Sequence, residues 1–340
     1  MAKTTCSIMP LSFFFLFILS FKVAASSTST SSKEEISLSY DFYKTSCPNV
    51  ERIIHNVASQ KLLEAPTTAA GALRLFFHDC FVEGCDASVL IASTKNKKAE
   101  RDAEINLSLP GDGFDMFFRA KRALELQCPG VVSCADVMAI ATRDLVSLVG
   151  GPRWAVEKGR KDGLVSRASR VAGNLPEVNQ TISQLISLFK SKGLNVLEMV
   201  SLSGGHTIGF SHCKEFMSRI YAFNKTYGID PTMDQNYAKS LQSPCPKSNP
   251  DPTVVAFNDV TTPIVFDNVY YQNLQKGLGL LATDQKLFID PMTRSYVNLM
   301  AKDQQVFFNY FVASMIKLGR IGVKTGSDGE VRRDCGFFNG

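Results

Sequence analysis

The amino-acid sequence predicts an all-α globular protein, on three observations. Apolar residues recur at helical spacing in six stretches, strand-like alternation is rare, and segments containing Gly or Pro separate the stretches. The chain has 340 residues, of which 45% are hydrophobic, so it can bury a large core in one domain or two closely packed lobes. The predicted helices span residues 50–63, 69–81, 115–127, 133–148, 182–192 and 304–318.

Residues that stop a helix lie between these stretches. An Ala-Pro pair at 65–66 follows the first predicted helix, and Cys-Pro-Gly at 128–130 follows the third. The fourth is followed by Val-Gly-Gly-Pro at 149–152, and Asn-Leu-Pro at 174–176 precedes the fifth. Pro restricts the residue before it and Gly tolerates a left-handed backbone, so both favour a helix boundary.

The N-terminus is typical of a secretory signal peptide. Lys3 gives it a positive start, residues 11–21 form an apolar run, and small residues follow. The run is shorter than the roughly 20 residues of a membrane span, although a retained membrane anchor is the alternative. We predict a signal peptide at 1–25, a flexible leader rich in Ser and Thr at 26–37, and one domain at 38–340.

Composition disfavours several other classes of protein. The formal charge of +5 is mild and no Lys/Arg block is present, so no nucleic-acid partner is expected. Signal cleavage would leave eight Cys, an even number that suits four disulfides in an oxidising compartment. Their spacing alone does not fix the pairing. Without a Cys-x-x-Cys pair, a thiolate metal site is disfavoured.

Two of the four histidines have unusual neighbours. Arg74 and His78 are four residues apart in the second predicted helix, so they share one face, which is otherwise apolar. A permanent cation beside a titratable imidazole suits a reaction site, although two solvated groups on a helix surface are the alternative. His206 follows Gly204 and Gly205, which let a flat cofactor approach the backbone; a glycine turn beside a packed His is the alternative.

Two sets of residues could supply the oxygen ligands that calcium prefers. Aspartates in loops are more often N-caps or turn formers, so each set alone is a weak signal. The first set comprises Asp79, Asp86 and Ser88, with the backbone carbonyls of Val82 and Gly84. The second comprises Asp259, Thr262, Val265 and Asp267.

Together these motifs resemble the secretory plant haem peroxidases, called class III. The resemblance runs from about Leu38 to Cys335. It rests mainly on Arg-Leu-Phe-Phe-His-Asp-Cys at 74–80 and Leu-Ser-Gly-Gly-His-Thr-Ile-Gly at 202–209, which have the family's order and spacing. Further matching segments lie at 42–50, 81–88, 132–136, 150–154, 174–176 and 262–268.

The resemblance implies a peroxidase fold with a distal and a proximal helical lobe, haem b between them, and two calcium ions. His206 is then expected to bind the iron, and Asp284 to accept the other ring N–H of His206, which makes the imidazole a more basic ligand. The two acidic sets are expected to bind the calcium ions, and Thr207 to join the second set.

On the distal side the resemblance implies acid–base chemistry. His78 is expected to take a proton from one peroxide oxygen and return it to the other, which leaves as water. Arg74 is expected to stabilise the negative charge that develops. Asn106 matches the residue that accepts the other ring N–H of His78, and Glu100 matches the residue that links this network to the distal calcium site.

The same resemblance assigns the wall and the rim of the pocket. Phe77 matches a residue that walls the distal pocket, and Pro176 matches a proline whose carbonyl helps to position donors. Where several family members carry Phe at the exposed haem edge, this chain has Glu104, Val178 and Glu215. Two of these are acidic, so the preferred donor is left open and a more polar or cationic rim is expected.

The resemblance also bears on processing and location. The short tail after Cys335 lacks the longer apolar extension of some vacuolar members, which favours the extracellular space and the cell wall. Of three glycosylation sequons, those at Asn179 and Asn224 are the expected acceptors, whereas Asn106 is not if it is buried against His78. The implied disulfides are Cys47–Cys128, Cys80–Cys85, Cys134–Cys335 and Cys213–Cys245.

We therefore predict a secreted, monomeric haem peroxidase that reduces hydrogen peroxide to water and oxidises small phenolic or aromatic donors by one-electron steps. Lignin or suberin polymerisation, auxin catabolism and a response to oxidative stress are compatible roles. No membrane association is expected after signal cleavage. The alternative is a non-catalytic, calcium-stabilised cell-wall binding protein, which the intact set of Arg74, His78, Asn106 and His206 disfavours.

Overall fold

The computed structural model describes residues 1–5 and 38–340. The chain divides into two units, and residues 38–340 belong to the second of them. The predicted signal peptide is described only at residues 1–5, and the predicted leader, 26–37, lies outside the described residues, so both stay predictions. Within the described residues, no helix has the length and apolar character that crossing a membrane requires.

The fold is all-α, which confirms the class that the sequence predicts. Over residues 38–340, twelve α-helices carry most of the regular structure, and two short strands pair antiparallel with Ser211 opposite Ala256. The strands are β1 (Phe210–His212) and β2 (Val255–Phe257). The helices are α1 (Val50–Glu64), α2 (Thr68–Val82), α3 (Gly111–Gln127), α4 (Cys134–Leu148), α5 (Ile182–Ser191), α6 (Val196–Ser203), α7 (Met217–Tyr221), α8 (Gln235–Gln242), α9 (Val269–Gln275), α10 (Ala282–Ile289), α11 (Pro291–Lys302) and α12 (Gln304–Leu318).

All six predicted helices are present; α12 agrees with the prediction at both ends, and the other five differ from it by one to four residues. α3 begins at Gly111, four residues earlier than predicted, directly after Pro110 in extended backbone. α4 begins at Cys134 because Ser133 is its N-cap and accepts a hydrogen bond from the Asp136 N–H at 3.2 Å. The sequence pattern does not predict the helices from α6 to α11, since they are only 5 to 12 residues long and a short helix gives a window too small for a clear assignment.

Two groups of helices hold the region that the sequence singles out. α1, α2, α3 and α4 pack against one another, and α6 packs against α11 and α12. α2 also contacts the 3₁₀ turn Gly204–Thr207, which follows α6 and carries His206. One large apolar core includes residues of both groups, and a smaller core surrounds Cys213 and Cys245. The two histidine motifs are therefore brought face to face by packed helices.

Four disulfides reinforce this arrangement. Two long-range bonds hold the segment before α1 near the end of α3, and the start of α4 near the C-terminus. A short one closes the turn directly after α2, next to the helix end that carries His78. The four pairs, which are those that the resemblance implies, are Cys47–Cys128, Cys80–Cys85, Cys134–Cys335 and Cys213–Cys245.

Candidate active site

A cavity of about 1050 Å³ is lined by α2 and by the turn after α6. His78 lines it from α2, and His206 lines it from the turn. Its volume lies at the upper end of the range of about 300–1,000 Å³ that is usual for ligand and cofactor sites. Arg74, Phe77, Pro176 and Asp284 also line the cavity, so six of the predicted site residues meet around one space.

The rotation of α2 explains why its two polar residues face this cavity. Leu75 and Phe76 are buried in the apolar core, which fixes the helix about its axis. Arg74 and His78 lie one helical turn apart on the side that this packing leaves towards the cavity. Because His78 is only 6% exposed, the alternative of a solvated helix surface does not hold for it.

A chain of hydrogen bonds fixes the orientation of the His78 ring. Asn106 donates from Nδ2 to the backbone carbonyl of Glu100 at 2.8 Å, so its Oδ1 is the atom that faces His78. His78 Nδ1 lies 2.7 Å from that oxygen. An amide oxygen only accepts, so Nδ1 carries the proton and Nε2 keeps its lone pair. His78 is thereby held as an imidazole that can accept a proton at Nε2.

The surroundings of His78 also keep it uncharged. Burial, and to a lesser extent the positive charge of Arg74, lower its pKa to about 3, and the bond to Asn106 only partly opposes them. Arg74 itself is fixed by two bonds to one residue: Nη1 donates to the Ser108 carbonyl at 3.0 Å and Nη2 to the Ser108 hydroxyl at 2.9 Å. The distal side thus presents a fixed cation beside a neutral base.

The opposite wall carries a histidine with a charged partner. His206 Nδ1 lies 3.0 Å from Asp284 Oδ1, and because the carboxylate can only accept, Nδ1 carries the proton and Nε2 is the lone-pair nitrogen of the neutral ring. Burial works to lower the pKa of His206, but the charge and hydrogen bond of Asp284 outweigh it and raise the pKa. With 43% of its side-chain surface exposed, the imidazole is open to the cavity.

The two glycines before His206 have different reasons to lack a side chain. A Cβ on Gly204 would collide with the Tyr271 hydroxyl and the Phe307 ring, so this position serves close packing of the turn. Gly205 lines the cavity, where a Cβ would come within 3.2 Å of the Leu73 side chain. Gly205, and not Gly204, is therefore placed where a flat cofactor could approach the backbone closely.

The wall and the rim contain the other predicted pocket residues. The Phe77 ring stacks on Phe81 with centroids 4.1 Å apart, which fixes it as a wall beside His78. Pro176 also lines the cavity. The predicted rim residues Glu104, Val178 and Glu215 line it as well, together with Lys98 and Lys214. The rim is thus polar and carries charges of both signs.

The first predicted calcium set lies directly behind His78. Asp79, Asp86 and Glu100 are buried carboxylates, and burial and the two Asp charges raise the pKa of Glu100 to about 9. Glu100 Oε2 accepts from the Ser88 hydroxyl at 3.2 Å, while Oε1 has no partner within the described residues. Glu100 therefore connects Ser88 to the Asn106–His78 chain, and the crowded acids fit a bound cation. Lys324 contacts Asp86 here.

The second predicted set lies next to His206. The Thr262 hydroxyl is 3.3 Å from Asp259 Oδ2 and 3.2 Å from Asp267 Oδ1. The Thr207 hydroxyl is 3.4 Å from both Asp267 Oδ1 and the Val265 carbonyl. The structure thus brings together all five residues of this set.

The donor types of both sets match a hard cation rather than a transition metal. No group of three or more His, Cys, Asp or Glu side chains in the described part of the chain is placed to hold a metal. Each predicted calcium set instead combines two Asp with hydroxyl and backbone carbonyl oxygens. In the first set, Val82 and Gly84 are included for their backbone carbonyls. Gly84 adopts a φ of 118° and its position is closed by Gly322, so only Gly fits there.

Sequence reasoning missed two residues that hold the site. Ser108 binds Arg74 through both its carbonyl and its hydroxyl, and Tyr270 donates from its hydroxyl to Asp284 Oδ1 at 3.0 Å. Ser108 is 34 residues from Arg74 and Tyr270 is 14 residues from Asp284, so no local spacing connects them. The sequence carries no signal for either contact beyond the presence of polar residues near the motifs.

The fold and the site together define a class of protein. It is helical and has two histidines facing each other across a cavity, one bonded to an amide and the other to a carboxylate. The family model described as "Peroxidase" matches residues 54–303. Peroxidase 41 of Arabidopsis thaliana is 54% identical over 302 residues, which cover 89% of this chain and 91% of that protein. Peroxidase 55 of the same species is 49% identical over 330 residues, 97% of each chain. The chain belongs to the peroxidase family, in its class III, plant-type branch.

The chain is therefore a haem peroxidase, an oxidoreductase that acts on hydrogen peroxide and a reducing substrate. Members of this class carry haem and calcium and are generally secreted. The cavity fits the haem: its volume is sufficient, and the bond from Nδ1 to Asp284 makes Nε2 the nitrogen of the neutral His206 ring whose lone pair can bind iron. When bound, haem supplies the redox-active iron at which peroxide is reduced.

Proposed function

We propose that this peroxidase holds haem b through His206 Nε2 and reduces hydrogen peroxide with His78 as its proton shuttle. One observation carries the proposal: two histidines line a single cavity, and their different partners suit them to different tasks. His78 is neutral and has a free Nε2, so it can accept a proton from one peroxide oxygen and return it to the other. Arg74, fixed by Ser108, stabilises the negative charge that develops meanwhile.

Two calcium ions are proposed at the acidic sets beside the two histidines. The distal ion would be bound by Asp79, Val82, Gly84, Asp86 and Ser88, and the proximal ion by Thr207, Asp259, Thr262, Val265 and Asp267. The distal ion would neutralise the buried acids that surround Glu100 and so keep the Asn106–His78 chain in place. The proximal ion would fix Thr207, the residue directly after His206.

The proposed donors are small phenolic molecules, each giving one electron and one proton, so that two donors and one peroxide yield two phenoxyl radicals and two waters. Pro176, Glu104 and Glu215 line the cavity and would contact a donor at its edge. Because the rim carries both acidic and basic groups, hydroxylated aromatic donors suit it better than purely apolar ones. Cell-wall polymerisation, auxin catabolism and peroxide removal all use this chemistry.

We further propose that the chain acts as a monomer outside the cytoplasm, in the extracellular space or cell wall. Four disulfides support an oxidising compartment. Asn179 and Asn224 are exposed and can accept glycan, whereas Asn106 is 2% exposed and engaged by His78. Peptide mapping of the secreted protein should find glycan on one or both exposed sequons and none on Asn106.

The direct test is to purify the protein with haem and to measure its Soret band and its peroxide-dependent oxidation of guaiacol. A Soret band with turnover supports the proposal, and a haem-free or inert protein supports the alternative of a calcium-stabilised binding protein. A panel of phenols, lignin precursors and auxin then ranks the donors. If all phenols reacted at negligible rates while another class of donor was oxidised rapidly, the assignment of phenolic donors would be overturned, but the peroxidase activity would not.

A further inference from the structure

The carboxylate that holds His206 accepts two hydrogen bonds on the same oxygen. His206 Nδ1 and the Tyr270 hydroxyl each lie 3.0 Å from Asp284 Oδ1. The other oxygen, Oδ2, is buried and has no partner within the described residues. The charge that Asp284 can offer to the imidazole is therefore shared, at one atom, with a tyrosine.

Tyr270 is held rigidly in this position. It is 1% exposed and is the second residue of α9, which packs against both the Gly204–Thr207 turn and α10, the helix that carries Asp284. Its ring meets the His206 ring edge to face, with centroids 6.3 Å apart, and packs in the same way on Tyr271 at 5.0 Å. A fixed ring keeps the hydroxyl aimed at Oδ1, so its donation persists whenever Asp284 is in place.

A second hydrogen bond to the same carboxylate oxygen weakens the first one. Hydrogen bonds to an ionised acceptor are among the strongest in proteins, and each draws negative charge towards itself. The Tyr270 bond therefore weakens the pull of Asp284 on the His206 N–H, and the imidazole becomes a less basic ligand at Nε2. Partners of this kind tune a ligand without touching the metal.

We propose that Tyr270 is a positioning residue that moderates the ligand strength of His206 by donating to Asp284. The inference rests on the proposed role of His206 as the iron ligand. Without the Tyr270 hydroxyl, Asp284 would polarise the imidazole more strongly, which stabilises the ferric state relative to the ferrous state. The effect acts on the iron through two hydrogen bonds and requires no contact between Tyr270 and the haem.

The test compares Tyr270→Phe with Tyr271→Phe in the haem-loaded protein. Tyr271 is a matched control because it is adjacent to Tyr270 and fully buried. Its hydroxyl, which Tyr271→Phe removes, donates to the Val200 carbonyl and not to Asp284. We expect Tyr270→Phe to shift the ferric–ferrous equilibrium towards ferric by about tenfold, or about 59 mV for a one-electron couple. The iron–histidine stretching frequency in resonance Raman spectra should rise in the same variant. Tyr271→Phe should change neither quantity.

Two results would overturn the inference. A potential in Tyr270→Phe equal to that of Tyr271→Phe would show that Tyr270 only fills space. A potential in Tyr270→Phe above that of the wild type, with a lower stretching frequency, would show that Tyr270 only orients the carboxylate. If Tyr270→Phe fails to fold or to bind haem, 3-fluorotyrosine at position 270 keeps the shape and strengthens the donor, and it should raise the potential. Loss of the iron–histidine band in His206→Ala is the separate control, because its persistence would refute the proposed function itself.

Discussion

The two walls of the cavity carry the same side chain, and the proposed tasks of the two histidines differ because the partner of Nδ1 differs. On the α2 side, His78 faces the neutral amide of Asn106 and the cation Arg74, and burial lowers its pKa to about 3. On the opposite side, His206 faces the carboxylate of Asp284, which raises its pKa. In both cases Nδ1 carries the proton, so the free nitrogen is Nε2.

The different partners suit one imidazole to the proposed role of base and the other to the proposed role of ligand. A carboxylate partner pushes electron density into the ring, which suits binding to a cationic metal. An amide partner fixes the ring without that push, so the imidazole stays neutral and can give back the proton that it takes. Giving one histidine the other's partner should therefore shift its basicity towards that of the other. Removing His206 and removing His78 should impair different properties, haem binding and the reaction with peroxide.

The largest expected effect is on the His206 side. His206→Ala should lose most stable haem binding and with it most activity, because the proposed bond from the chain to the iron is removed. The measurement is the Soret absorbance per mole of protein after reconstitution with haem. His55→Ala is the control, since His55 is outside the cavity lining. A normal haem spectrum with full activity in His206→Ala would show that the ligand is another residue.

The second effect separates the two walls. His78→Leu should retain haem but react with peroxide more slowly by about 10²–10⁴-fold, the usual range for general acid–base catalysis, and towards its upper end because one residue both takes and returns the proton. Arg74→Leu should slow the same step less, since Arg74 stabilises charge without moving a proton. Stopped-flow recording of the haem band after mixing with peroxide measures both, and His55→Leu should react as the wild type does. A His78→Leu rate within a few-fold of wild type would place the proton shuttle elsewhere.

A third effect concerns the calcium sets behind the two walls. Prolonged chelation should lower thermal stability, by about 2.7 kcal/mol for each site that had been held at a calcium concentration 100 times its Kd. Activity should fall as well, because Glu100 connects the distal set to Asn106 and His78. Calorimetry before chelation, after chelation and after calcium is restored measures the effect. Fully active protein that contains no calcium by metal analysis would reject both sites.

Much of the fold could be predicted because long amphipathic helices have a clear period. α1, α2, α4 and α12 each extend over 15 residues, and their apolar spacing marked them within a residue or so at each end. The short helices between Val196 and Lys302 could not be found in this way, because most of them complete only about two turns. They form through tertiary packing, which a local pattern does not contain.

In the site, too, contacts within one helix could be predicted from the sequence, whereas contacts between distant residues could not. Arg74 and His78 could be paired from their spacing, since four residues make one helical turn. The partnership of His206 with Asp284 spans 78 residues and was predicted only through the resemblance to a family. Contacts such as Tyr270–Asp284 and Arg74–Ser108 depend on how α9, α10 and the loop before α3 pack, so they could be read only from the structure.

The most direct test of the central claim, that the partner of Nδ1 sets the role of each histidine, is the pH dependence of the peroxide reaction in wild type and in Asn106→Asp. In wild type, His78 has a lowered pKa and stays neutral, so the rate should hold through the acid range and fall only as the pH approaches 3. A carboxylate at position 106 would raise the pKa of His78, as Asp284 does for His206, so protonation should stop the reaction at a distinctly higher pH. The haem band, recorded at each pH with saturating calcium, ensures that both proteins remain loaded. A wild-type midpoint near 6.5, or the same acid limb in both proteins, would contradict the account.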